Sequence, residues 1–87
     1  MGQYIIEGNN MTTLERAYDE LETVFHLPDY FGRNLDAFEE CLTDLTDEEG
    51  SLSVTVRNSK AVESALPEWE SLVEIFLGNP FISLTEE

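Results

Sequence analysis

Positive charge is what this sequence most lacks. Its 87 residues include only four basic side chains, Arg16, Arg33, Arg57 and Lys60, against 19 aspartates and glutamates, a formal net charge of −15. A field of that sign repels phosphate backbones and anionic lipid and draws in basic proteins, so direct nucleic-acid binding and membrane-surface binding are excluded first. Cysteine is nearly absent. A lone Cys41 cannot close an internal disulfide, which removes the disulfide-stapled scaffolds and suits a reducing cytoplasm. One histidine, His26, and one cysteine supply no zinc site built from those ligands. No apolar run approaches the roughly 20 residues that cross a bilayer. The start "MGQYIIEGNN" has neither the basic opening nor the apolar centre of a secretion signal, so the expected location is cytoplasmic. Gly-rich phosphate loops are missing. "DLTDEEGS" is a poor calcium loop: counted from Asp44, glycine falls at position seven instead of six, and position twelve is Thr55. Neither a metal nor a cofactor is expected.

Apolar content is ordinary at 41 %, enough for a core in spite of the charge. The length suits a single domain over residues 1–87. "QYIIEGNN" reads as a short buried strand ending in a turn. "MTTLERAYDELETVFHL" reads as a helix capped by Thr12 or Thr13, with Leu14, Ala17, Tyr18, Leu21, Val24 and Phe25 as its apolar stripe. Pro28 ends it. After the loop "PDYFGR", Asn34 caps a second helix whose stripe is Leu35, Phe38, Leu42 and Leu45, and "TDEEGS" reads as the following turn. "SLSVTVRN" alternates Leu52, Val54 and Val56 with polar residues, a strand with one buried face. "SKAVESAL" is a short helix stopped by Pro67, which also suits the first position of the next helix, with stripe Trp69, Leu72, Val73 and Phe76. Gly78, Asn79 and Pro80 stop that helix, and "FISLTEE" reads as a closing strand. Strands separated by helices predict an α/β fold: a small three-stranded parallel sheet with three to four helices, mainly on one face.

The stretch of most interest is "HLPDYFGRNLDAFEECL". Asp36, Glu40 and Thr43 lie at helical spacing opposite the apolar stripe, with Glu39 beside them. Spacing alone decides nothing. Chance gives about four acid pairs at spacing four, and the sequence has five. The loop before the helix adds the second signal. Tyr30 and Phe31 stand between Pro28 and Gly32, where the backbone is held, and a short loop rarely buries two rings. An exposed tyrosine beside acids has the composition of a protein–protein hot spot. Carboxylate pairs such as Asp36 and Glu40 can do acid–base chemistry only in a cleft that excludes water, and 87 residues rarely build both core and cleft. Cys41 lies among acids that raise its pKa, which makes it a poor nucleophile. No enzyme activity is expected.

Read as a motif, Leu27-Pro28-Asp29-Tyr30-Phe31-Gly32-x-Asn34-Leu35-Asp36-Ala37, followed by Glu40-Cys41-Leu42, closely resembles the barstar family, intracellular inhibitors of the ribonuclease barnase. The match is specific over residues 27–43 and looser elsewhere. It implies a barstar-like fold and a function as an immunity protein. The acidic helix and preceding loop would plug the basic active site of a secreted ribonuclease, one to one, with carboxylates where the substrate phosphate sits. Carried over by position, Tyr30 would stack on a target side chain, Asn34 and Asp36 would meet the rim and basic groove, Glu40 would replace the family's principal carboxylate, usually Asp, and Thr43 would follow on the same face. With the rest of the loop and helix, the candidate partner-binding residues are Tyr30, Phe31, Gly32, Asn34, Asp36, Glu39, Glu40 and Thr43, on a protein that is a monomer when free. Departures are the extra methylene of Glu40, Glu39 where the family often has Trp, the cation Arg33, and Gly78 where the family places a late acid. The alternative function is an acidic adaptor or nucleic-acid mimic that regulates a DNA-binding protein. Such a mimic would spread charge along a long surface instead of concentrating it in residues 30–43.

Overall fold

The alternation in "SLSVTVRN" makes the central strand of a three-stranded parallel sheet. The computed structural model describes residues 2–87. Its elements are β1 (Gly2–Glu7), a 3-10 turn (Gly8–Asn10), α1 (Leu14–Phe25), α2 (Leu35–Glu49), β2 (Leu52–Arg57), α3 (Ser59–Ala65), α4 (Trp69–Leu77) and β3 (Ile82–Glu86). Each pair of successive strands is separated by two α-helices, which supply the long crossover that parallel pairing requires. No helix among the described residues is long and apolar enough to cross a membrane.

The register puts Tyr4, Val54 and Leu84 side by side, and Ile6 beside Val56. The pleat sends those side chains to the helix-covered face. Gln3, Ile5, Ser53, Thr55, Ser83 and Thr85 point the other way and stay exposed or half-buried. Ile5, 51 % exposed, corrects the reading of β1 as a buried strand. With helices on one face only, a strand can bury every second residue and no more.

Facing the sheet, Phe25 from α1, Phe38 from α2 and Phe76 from α4 pack their rings at 5.7–6.2 Å between centroids. These are tilted or edge-on contacts of the kind aromatic quadrupoles favour. Thr13 caps α1, its Oγ1 accepting from the Arg16 N–H at 3.2 Å. His26 ends α1 in the left-handed region at φ 53° and is exposed.

Two boundaries differ from the sequence reading. "TDEEGS" is not a turn until Gly50, because α2 continues through Glu49. Its inward face extends from Phe38 and Leu42 to buried Thr46, and Glu49 accepts a hydrogen bond from the Tyr4 hydroxyl. Gly50 then closes the helix at φ +86°, a conformation glycine adopts without strain. α4 starts at Trp69, and Pro67 lies in the turn before it.

Candidate functional site

Three anchors hold the loop between α1 and α2. The first is Phe31. Only 7 % exposed, its ring meets Tyr18 edge-on at 5.7 Å, so it plugs the core instead of sharing the outer face expected for it. Only one of two adjacent rings can turn inward from this turn, closed by the Phe31 N–H donating to the Pro28 carbonyl at 2.9 Å. The second anchor is Arg33. Its guanidinium donates to Glu22 at 2.8 Å, to Asp19 at 3.1 Å and to the Glu15 carbonyl at 2.9 Å, and lies 5.7 Å from the Tyr18 ring centre. These contacts hold a non-glycine residue at φ 50°. Asn34 is the third. Its Oδ1 accepts from the Ala37 N–H at 2.8 Å and its Nδ2 donates to the Gly32 carbonyl at 3.2 Å. A β-carbon on Gly32 would sit 3.1 Å from that Nδ2, so the loop is tight there. With its neighbours fixed, Tyr30 is displayed at 89 % exposure.

Behind Tyr30 runs the outer face of α2. Asp36, Glu39, Glu40 and Thr43 are all exposed. The Thr43 hydroxyl donates back to the Glu39 carbonyl at 3.0 Å. Among the described residues no cation or donor meets the carboxylates of Asp36, Glu39 or Glu40, and both ion pairs use Arg33. The helix is a ridge between two grooves. A groove of about 390 Å³ lies on the loop side, bordered by Pro28, Tyr30, Ala37 and Glu48. A wider one of about 530 Å³ separates α2 from the turn between α4 and β3, with Ile75, Gly78, Pro80 and Phe81 on the far wall. Glu40 and Asp44 border both grooves and therefore stand on the crest.

Such a surface is convex and wet. It suits contact with a concave basic surface better than enclosure of a small substrate. The half-buried Cys41 thiol is pushed above its ordinary pKa by burial and then by Asp44 and Glu40, which keeps it protonated and unreactive. All eight sequence candidates lie on the loop or on α2, with the Phe31 ring turned inward. The reading missed the far wall. Phe81, 59 % exposed, stands on it. The sign was available: Ile82 and Leu84 take the inward register of β3, so Phe81 must turn outward.

The barstar family, described as barnase inhibitor, matches residues 1–78. A Bacillus subtilis (strain 168) protein named "Putative ribonuclease inhibitor YrdF" is 43 % identical over 47 residues. That alignment covers 54 % of this chain and 52 % of the relative, so the chain spans about half the length of the curated relative it matches. The matching family is one of inhibitors and not of enzymes. By a match that covers most of its length, the chain belongs to the barstar family.

Proposed function

We propose that this protein inhibits a secreted basic ribonuclease, one to one, by seating the α2 ridge and Tyr30 in the enzyme's active-site groove. Glu40, on the crest, stands in for a substrate phosphate, with Asp36 and Glu39 beside it. Tyr30 stacks on a target side chain, and Asn34, Gly32 and Thr43 contribute the rim. Phe31 acts from beneath, by fixing the loop. The reading places the chain in the cytoplasm of a cell that makes the nuclease, as an immunity protein. One observation carries it. The carboxylates of Asp36, Glu39 and Glu40 are exposed on one helix without a counter-cation among the described residues, next to a tyrosine 89 % exposed. Burial of such charges against a basic groove gives fast, salt-sensitive association.

RNA cleavage by barnase, titrated with the protein, tests this. The expected result is loss of cleavage with an endpoint at equimolar inhibitor, and no cleavage by the protein alone. A panel of secreted basic ribonucleases that all cleave RNA undiminished would sink the proposal.

A further inference from the structure

The strand order β1-β2-β3 leaves β3 with a neighbour on one side only. Two bonds of the ladder fix which way its backbone faces. The Leu52 N–H donates to the Phe81 carbonyl at 2.9 Å, and the Glu87 N–H donates to the Val56 carbonyl at 2.8 Å. Successive residues of a parallel strand turn their backbone groups to opposite edges, so Leu84 and Glu86 aim theirs away from β2. Among the described residues no hydrogen bond reaches those outward groups. The opposite edge of the sheet is better closed, since the Glu7 N–H on β1 already donates to Glu20 at 3.0 Å. Beside the free edge runs α4. Its Trp69 and Val73 border a groove of about 330 Å³ together with Leu66, Pro67 and, from β3, Glu86. Leu77, one turn beyond Val73, continues that row and is 65 % exposed. The other flank of α4, with Ser71 and Ile75, faces Leu35 and Asp36 of α2 instead. α4 therefore stands between this groove and the α2 ridge.

We infer that the β3 edge and this flank of α4 receive an extended basic segment of a second partner protein, which adds a fourth strand to the sheet. Main-chain hydrogen bonds to the outward groups of Leu84 and Glu86 supply affinity, and alternate side chains supply specificity, as in other strand additions. Every second side chain of the segment points to the helix-covered face. There an apolar residue covers Val73 and Leu77, and a lysine or arginine two positions along meets the acids. Charge complementarity selects this occupant. The charged residues of the groove are Glu63, Glu70 and Glu86, with no cation among them. A second copy of the chain, itself at −15, would set like charges against one another along the same edge.

A blocked peptide of repeating valine–threonine–lysine–threonine is titrated against the protein, free and in the presence of barnase, while hydrogen exchange follows the amides of Leu84 and Glu86. With peptide at about ten times its dissociation constant, exchange at both amides should slow about tenfold. The same peptide with glutamate in place of lysine should not bind. Leu77→Ala should weaken binding about threefold to tenfold through lost apolar cover. Glu86→Gln should weaken it less at high salt than at low salt. Glu86→Pro also removes an outward N–H, at a position where an edge strand tolerates proline, and should weaken it further. Urea midpoints check that each variant folds. A peptide that does not bind overturns the inference. So does one that binds and leaves both amides unprotected, which is attraction between opposite charges alone. Displacement of the peptide by barnase would merge this surface with the α2 ridge and overturns it as well. If barnase does not bind the parent, the inhibitor reading falls and the peptide titration still decides this one. A free protein that sediments as a dimer, dissolved by Leu77→Ala, makes the edge a self-contact and overturns the inference too.

Discussion

α1 and α2 are both acidic amphipathic helices, yet their acids lead different lives. On α1, Asp19 and Glu22 hold Arg33, while Glu20 accepts from the Glu7 N–H and from the Asn10 side chain, both at 3.0 Å. On α2, Asp36, Glu39 and Glu40 hold nothing among the described residues. The single cation in the loop between the helices, Arg33, turns toward α1 and not toward the α2 ridge. Acid content therefore does not mark a binding face. In the proposed reading the mark is a set of acids without partners among the described residues, fixed on a rigid element beside a displayed aromatic.

The largest expected effect separates the two helices by one substitution in each. Glu40→Ala should cost about 2–5 kcal/mol of ribonuclease binding, because target cations buried opposite it are left unpaired; the family itself supplied the measured charge-pair energies behind that range. The free protein should hold its stability or gain slightly. Glu40 lies at spacing four from Asp36 and Asp44, and each like-charge pair costs roughly 0.2–0.5 kcal/mol. Leu42→Ala, at a site 1 % exposed, should reverse the pattern, losing about 2–5 kcal/mol of stability to a core cavity. Calorimetric dissociation constants and urea midpoints for both variants check this. A Glu40→Ala protein that unfolds like Leu42→Ala would make α2 mere scaffold.

Tyr30→Ala comes next. Truncated interface tyrosines commonly cost more than about 1 kcal/mol and up to several, whereas removal of an exposed side chain shifts stability by only about 0.5 kcal/mol. Phe31→Ala should act through the fold instead, since its ring is in the core. Measured side by side, the two variants test whether adjacent rings divide display and support.

Smaller still is Arg33→Ala. Exposed ion pairs contribute about 0–1 kcal/mol each, and relief of the left-handed backbone is not available to alanine. A stability loss of about 1 kcal/mol is expected, with association at low salt faster, if anything, because a positive charge has gone. Thermal denaturation and stopped-flow association read the two effects separately. Slower association would mean that Arg33 faces the partner and not α1.

Much of this was legible in the residues. The parallel order, the Asn34 cap and the inward faces of α1, α2 and β2 all follow from local pattern, because each rests on spacing or on a short-range hydrogen bond. Which of Tyr30 and Phe31 turns inward did not follow. That depends on Tyr18, a dozen residues earlier in the chain, offering its ring edge. The partners of Arg33 were hidden for the same reason, since they sit on another helix. The extension of α2 to Glu49 was obscured by turn-like composition, and it is a contact distant in sequence, between Glu49 and Tyr4, that holds the helix end.

That contact provides the smallest effect and the sharpest internal control, because Glu49 is the one α2 acid that behaves like those of α1. The Tyr4 hydroxyl donates to Glu49, and burial, that hydrogen bond and the Glu49 charge push the phenol from 10 up to about 12. A phenol is neutral when protonated, so a raised value favours the protonated form in the folded chain. Below pH 10 both folded and unfolded chains keep the proton, and the contribution is fully present. Between pH 10 and about 12 the unfolded chain ionises first, and stability drains away as pH rises through the folded value. The Tyr18 phenol, also raised by burial, titrates in the alkaline range as well, so the informative quantity is the difference between parent and Tyr4→Phe. Near pH 8 the variant should be less stable by about 1 kcal/mol, the net worth of a buried hydrogen bond. That gap should close toward pH 12. Urea midpoints for both proteins between pH 8 and 12 measure it. A gap that stays constant would mean that Tyr4 supports the end of α2 through its ring alone and that its hydrogen bond to Glu49 contributes nothing to stability.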